Sequence, residues 1–240
     1  MFAGPNGSGK STLKTVLPPA LLGVYINPDE IEQELRVTGS LDLTSYHVSA
    51  EPAEVTSFLR NSSLLQRAPI SAFGAALDTS GNSLSFGSGA ANPYLASVLA
   101  DFLRRKLLAG RISFTFETVM SSTDKVEILK TAQRLGYRTY LYYIATDDPE
   151  INVSRVRNRV RLGGHPVPED KIVSRYARSL NLLRDAIAYT NRAYIFDNST
   201  HDQDRTWLAE ITDGHMLEMK TDQMPAWFKR AVWDKVTRTS

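Results

Sequence analysis

The run Gly4-Pro5-Asn6-Gly7-Ser8-Gly9-Lys10-Ser11-Thr12 satisfies the pattern G-x-x-x-x-G-K-[ST] in full. Each residue type answers a physical need. Glycines let backbone N–H groups converge on phosphate oxygens, and a following helix N-terminus adds the positive end of its dipole. A lysine reaches the outer phosphates as a point charge, and the serine hydroxyl is placed for Mg²⁺. Gly4, Asn6, Gly7, Ser8, Gly9, Lys10, Ser11 and Thr12 are therefore the expected nucleotide-phosphate contacts, with ATP and Mg²⁺ as the implied ligands and Ser11 as the metal-side residue. Such a loop follows a strand of about five residues, yet only Met1-Phe2-Ala3 precede Gly4. The reading therefore expects the true start to lie upstream of Met1.

Two carboxylates sit where strands should end. Asp29 follows the apolar run Gly23–Asn27, and strand C-termini in a parallel sheet open into one crevice. There it could take a proton from a substrate hydroxyl as a phosphoryl group moves, or it could simply cap the helix that Pro28 opens. Glu117 ends Ser113-Phe114-Thr115-Phe116 and reads as a Mg²⁺-side or substrate-binding carboxylate, or as a solvent-facing strand end.

The third feature is a concentration of arginine between residues 155 and 192. At helical spacing Arg157 and Arg161 share one face with Val153, Val156 and Val160, while Arg155 and Arg159 point the other way. Gly163-Gly164-His165-Pro166 breaks the helix, and Glu169 restarts it with Arg175 and Arg178 three apart. The functional reading is a lid that brings Arg157, Arg161 and Arg175 over a triphosphate; the alternatives are a solvated basic face or an RNA-contact patch.

The elements needed to position these groups alternate. Strand signals fall at Gly23–Asn27, Arg111–Phe116, Arg138–Ala145 and Ala193–Phe196. Helical patterns open at Asn92-Pro93, Ser122 and Asp148-Pro149. This is the pattern of an α/β protein with a parallel sheet. Residues 41–92 interrupt it with a helix over Pro52–Gln66 and a Gly/Ser/Asn-rich loop over Asp78–Asn92, which reads as an inserted substrate-side subdomain. Residues 205–240 read as a hairpin around Asp213-Gly214 and a helix from Pro225, with Trp227 and Trp233 as its anchors.

Composition narrows the classes. The chain has 240 residues, 42% apolar and 22% charged, enough to bury a core. A net charge of +2 makes no case for nucleic acid or an anionic membrane. With no cysteine, disulfides, Cys-ligated zinc and thiol catalysis are out. His47, His201 and His215 lack metal-ligand spacing. No apolar run approaches the ~18 residues of a membrane span and no signal-peptide core opens the chain, so a soluble cytoplasmic protein is expected.

Taken together, the GPNGSGKST loop, YINPDEI, SFTFETVMSS, RVRNRVRLGGHPVPEDKIVSRYARSL and YIFDNST resemble the zeta-toxin-like P-loop kinases, over most of residues 1–40 and 93–200. That family's toxins phosphorylate a sugar hydroxyl of UDP-N-acetylglucosamine with ATP and so interfere with cell-wall synthesis. The resemblance implies Lys10 as phosphate-binding lysine, Asp29 as catalytic base, Glu117 as substrate contact and Arg157 as γ-phosphate stabiliser. Where the toxins follow the glutamate with Gly-Thr, this chain has Thr118-Val119, making Thr118 the nearest substrate-contact candidate, with Arg178 beside it. Their second lid arginine falls near Gly163-Gly164-His165, where Arg161, His165 or Arg175 could substitute.

The expectation is thus a single three-layer P-loop kinase domain over residues 1–240 with a parallel sheet, a helical insertion between the second and third strands and an Arg-rich lid. It would move the ATP γ-phosphoryl to a hydroxyl of a small molecule, with a nucleotide sugar as the candidate acceptor. Asn198, in the loop after the last parallel strand, is placed near the adenine by position. A switch-like ATPase that binds a partner, or a polynucleotide 5′-hydroxyl kinase, are the rivals. An antitoxin protein is a candidate partner with no residue pattern of its own in the chain.

Overall fold

The computed structural model describes residues 1–66, 78–87, 89–200 and 205–236. The chain divides into two compact units, one of residues 1–18 with 117–240 and one of residues 19–116. A seven-stranded sheet has the order β10-β9-β8-β7-β1-β6-β2.

In the first unit, β1 (Phe2–Ala3) pairs in parallel with the end of β6 (Phe114–Thr118) and with β7 (Tyr140–Ala145). Phe2 and Ala3 are fully buried, as a strand flanked on both sides requires. β7 pairs in parallel with β8 (Arg192–Asp197), then β9 (Thr206–Thr212) and β10 (Met216–Met219) turn antiparallel. The hairpin between them turns at Asp213 and Gly214, both at positive φ, as the Asp-Gly pair predicts. β7 carries Leu141, Tyr143, Ile144 and Ala145 without exposure, the near-continuous apolar run of a strand covered on both faces.

The longer helices of this unit are α5 (Asp124–Arg134), α6 (Pro149–Arg161) and α7 (Glu169–Ala188). On α7 the buried residues Ile172, Tyr176, Ser179, Leu183 and Ala186 recur at alternating spacings of four and three, the stripe of an amphipathic helix. Val153 and Val156 of α6 close a small apolar cluster with Ile172, flanked by Val160 and Val167. The expected lid segment is thus a helix pair with its own apolar seam.

The C-terminal segment Ala226–Phe228 continues through a π-helical turn, Lys229–Trp233. Trp227 and Phe228 are fully buried, so the anchoring role read for Trp227 is met.

The second unit holds β2 (Val24–Ile26), which runs parallel to the start of β6, then α1 (Pro28–Thr38) and α4 (Pro93–Ala109). Asn92 caps α4 with its side-chain oxygen on the N–H groups of Tyr94 and Leu95, as Asn-Pro at that position predicts. Between α1 and α4 the chain forms β3 (Ser40–Asp42), α2 (Pro52–Arg60) and α3 (Ser63–Gln66), then β4 (Asp78–Ser80) and β5 (Ser83–Ser85). Phe58 of α2 meets Phe102 of α4 edge-on at 5.3 Å.

The insertion is therefore only partly helical. The stretch read as a loop from Asp78 holds strands β4 and β5, turned at Gly81-Asn82, which join β3 in a small antiparallel sheet of order β3-β5-β4. The strands have three residues each, too short for an alternation to stand out. The single helix expected over Pro52–Gln66 is broken at Asn61-Ser62.

Candidate nucleotide-phosphate site

β1 delivers the chain to Gly4, whose N–H donates to the Thr118 carbonyl at the end of β6 (3.3 Å). Gly4, Gly7 and Gly9 then take φ values of 147°, 73° and 99°. At Gly7 the constraint is also steric: a Cβ would stand 2.6 Å from the Asn152 carbonyl oxygen. An L-residue there would be strained in backbone and in contact with α6.

Beyond the loop, Lys10–Val16 forms a 3-10 segment and not the α-helix the motif suggests. Two threonine hydroxyls bond back to carbonyls of this stretch. Thr12 Oγ1 donates to the Gly9 carbonyl (2.7 Å) and Thr15 Oγ1 to the Thr12 carbonyl (2.8 Å), each three residues back. Pro18 and Pro19 leave no length for the wider winding to take over.

Inside the cradle, Lys10 Nζ donates to the Pro5 carbonyl (2.8 Å), folding the ammonium back over its own loop. Ser11 Oγ lies 3.5 Å from Glu117 Oε2, and Glu117 is buried at the end of β6. Ser8 is fully buried, and neither its Oγ nor the Asn6 Oδ1 has a hydrogen-bond partner. The N–H groups of Gly7 and Gly9 make no hydrogen bond among the described residues. The unmatched donors of this glycine loop, the Gly7 and Gly9 N–H groups and the Ser8 hydroxyl, fit a ligand rich in acceptor oxygens.

These residues fit a nucleotide phosphate and its Mg²⁺. Among the described residues no group of three or more Asp, Glu or His converges on a point. Ser11 and Glu117 would supply protein oxygens, and phosphate and water the rest, which is how Mg²⁺ is commonly held.

Two asparagines hold the loop from outside. Asn152 of α6 donates Nδ2 to the Asn6 carbonyl (2.6 Å), and its Oδ1 accepts from Thr146 Oγ1 at the end of β7. Asn198, just past β8, donates Nδ2 to the Ser8 carbonyl (2.8 Å). Asn198 thus lies against the phosphate loop. Asn152 was missed by sequence reasoning, since a polar residue inside an amphipathic helix carries no motif of its own.

The arginines are distributed differently from the lid picture. Arg155, on the helix face turned away from Arg157, donates Nη1 to the Asn198 carbonyl (2.7 Å) and Nη2 to that of Thr200 (3.1 Å). Its partial burial lowers its pKa, with Asp197 acting in the opposite sense. Arg157 is exposed and paired with Glu169 at 2.7 Å across the interhelical turn. Arg161 and Arg178 are exposed and Arg175 is half-buried. A further arginine unmarked by any motif, Arg205, donates to Thr12 Oγ1 (3.1 Å) and Thr15 Oγ1 (3.3 Å).

Thr118 is buried, and its Oγ1 accepts from the Met120 N–H (3.0 Å) in a turn where Met120 takes φ 53°. In the second unit, Asn27 and not Asp29 caps α1: Asn27 Oδ1 accepts from the Asp29 N–H (3.0 Å). The Asp29 side chain is exposed, which frees its carboxylate from the capping role weighed for it. His201 lies outside the described residues.

A parallel sheet whose central strand runs into this glycine loop defines a P-loop α/β fold. Comparison with known proteins then narrows the class. Residues 93–207 match the family described as zeta toxin. An uncharacterised protein of Haemophilus influenzae is 37% identical over 65 residues, covering 27% of this chain and 46% of that protein.

Among solved structures, the AvrRxo1-ORF1:-ORF2 complex with ATP aligns at a TM-score of 0.50 and 17% identity. Its native complex reaches 0.52 at 15%. Both alignments cover 98% of this chain and 62% of the other. The PezAT chromosomal toxin-antitoxin system of Streptococcus pneumoniae aligns at 0.44 and 14% identity, over 99% of this chain and 85% of that one. The chain thus spans under half of the curated relative and about three-fifths of the AvrRxo1 chain. The chain is thus similar to the zeta toxin family over residues 93–207, and it shares its fold with the AvrRxo1 chain. Residues 4–12 and Asp29 lie outside the span that the family matches.

Among the described residues, no helix is long and apolar enough to cross a membrane.

Proposed function

We propose that the protein is an ATP-dependent phosphotransferase that moves the γ-phosphoryl to a hydroxyl of a small molecule. The observation that carries the reading is the P-loop itself: glycines at positive φ, uncommitted N–H groups at Gly7 and Gly9, and Ser11 facing the buried Glu117. The zeta-toxin match over residues 93–207 supports it.

In this reading Lys10 leaves the Pro5 carbonyl for the outer phosphates, a short swing for a flexible stem. Ser11 and Glu117 hold the metal ion, which when bound neutralises charge on the phosphates. Asp29 accepts the proton of the acceptor hydroxyl, so that the oxygen attacks phosphorus as the bond to ADP breaks. Arg157 stabilises charge on the transferring group once released from Glu169, with Arg161 or Arg175 as second cation. Thr118 and Arg178 face the acceptor, for which a nucleotide sugar such as UDP-N-acetylglucosamine is the first candidate.

The test is incubation with ATP, Mg²⁺ and UDP-N-acetylglucosamine, read by mass spectrometry, with Asp29→Asn alongside. A phosphorylated sugar nucleotide from the wild type alone is the expected result. Nucleotide bound without that product directs the search to other metabolites and to oligonucleotides. Turnover that no acceptor raises would sink the transferase reading in favour of a slow ATPase.

A further inference from the structure

We infer that Asn152 and Asn198 are positioning residues that set the orientation of the phosphate-loop peptides and so create its anion-binding N–H groups. The inference rests on the phosphate-loop part of the functional reading and not on the transfer step.

The argument begins with the peptide plane. In a trans peptide the C=O and the next N–H point in opposite directions, and no peptide among the described residues is cis. The Asn6 carbonyl is drawn outward to Asn152 Nδ2 at 2.6 Å, so the N–H of the same peptide, that of Gly7, is turned the other way. The Ser8 carbonyl is drawn to Asn198 Nδ2 at 2.8 Å, which turns the Gly9 N–H likewise. Neither of these N–H groups has a partner among the described residues. Glycine peptides flip at low cost, so an unbraced loop would sample orientations that present carbonyl oxygens to an anion.

Both braces are themselves fixed. Asn152 is fully buried and accepts from Thr146 Oγ1, whose carbonyl in turn accepts from the Tyr176 hydroxyl at 2.6 Å. The Asn198 carbonyl accepts from Arg155. Contact is close enough to exclude slack: a Cβ on Gly7 would meet the Asn152 carbonyl oxygen at 2.6 Å, and one on Gly9 would meet Asn198 Nδ2 at 2.5 Å. An asparagine amide is suited to the task, since it donates to the loop carbonyl while its oxygen remains available to a second donor.

The experiment uses the full chain labelled with ¹⁵N-glycine and titrated with inorganic tripolyphosphate. In the wild type the Gly7 and Gly9 amide resonances should shift on binding. Asn152→Ala should blunt the Gly7 response, Asn198→Ala the Gly9 response, and each should weaken tripolyphosphate by about tenfold. Asn152→Asp keeps the shape while losing the donor; it should behave as Asn152→Ala does and serves if that variant fails to fold. Wild-type shifts and affinity in the Asn198→Ala and Asn152→Asp variants, even with a lowered melting temperature, would reduce both residues to structural contacts and overturn the inference. So would a wild type whose glycine amides ignore tripolyphosphate. Because no turnover is read, a protein that passes this test yet phosphorylates nothing would lose the transferase reading alone.

Discussion

The indole N–H of Trp227 donates to Asp197 Oδ1 at 2.7 Å, tying the C-terminal segment to the end of β8. The same carboxylate accepts from Ser199 through Oγ and N–H, and the Trp227 backbone N–H reaches Asp147 Oδ1 at 3.1 Å. The tail is thus hydrogen-bonded to the end of β8 and to the loop that follows β7. Trp227→Phe keeps an aromatic ring but leaves a buried carboxylate short of one donor. It should lower unfolding free energy by about 1–3 kcal/mol in a urea titration. No change would mean that Ser199 alone satisfies Asp197.

Lys10→Ala and Asp29→Asn should separate binding from chemistry. The lysine variant should lose nucleotide turnover. The aspartate variant should keep ATP affinity, measured by calorimetry, and lose transfer. Weak ATP binding by Asp29→Asn would count against a base and for a nucleotide contact.

Arg157 and Glu169 form an exposed pair, so its stability contribution should be small. Glu169→Gln should change unfolding free energy by no more than about 1 kcal/mol. If Arg157 turns from this pair to the transferring phosphoryl, Arg157→Ala should lower kcat by roughly 10²-fold or more while Glu169→Gln leaves it intact or raised. Equal losses in both variants would make the pair, and not the cation, the working unit.

Alkaline pH should act on two buried tyrosines, Tyr176 of α7 and Tyr143 of β7. Burial pushes the Tyr176 phenol from 10 up to about 12, with Asp147 adding to the effect and Arg230 opposing it. Burial raises Tyr143 further, against the opposing bond to Ser179. A phenol raised on folding stabilises the fold fully below its unfolded pKa, and that stability drains away as pH rises through the folded value. Urea midpoints should therefore hold up to about pH 10 and fall between there and 12, and Tyr176→Phe should reduce the fall. A flat profile across that window would contradict the assignment.

The phosphate loop could be read from residue types because each glycine answers a backbone need that no other residue meets as cheaply. The same holds for the Asn92-Pro93 helix start and the Asp213-Gly214 turn, where local chemistry dictates local shape. What escaped was set by partners distant in sequence. Asn152 and Asn198 matter for which carbonyls they meet, and neither sequence neighbourhood announces it. Strand β6 begins at Phe114 and not at Arg111, because Arg111 takes φ 56° and Ile112 N–H turns back to the Leu107 carbonyl. Helical phase separated Arg155 from Arg157 correctly, but could not show that Arg155 is the one drawn to the loop after β8. In β4 and β5, three-residue strands rich in serine carry too little apolar pattern to be told from loop.

Strand β10 is the last in its sheet, and an open strand invites another chain to continue the ladder. Here it is four residues long. Exposed Glu218 lies on it, and Lys220 just beyond pairs with Glu218 at 2.6 Å and lies over the Trp207 ring at 5.0 Å. A newcomer strand would find few free amides and would have to strip water from that ion pair. At this border the protein should stay dispersed when concentrated, and neutralising Glu218 and Lys220 together is the change most apt to make it self-associate.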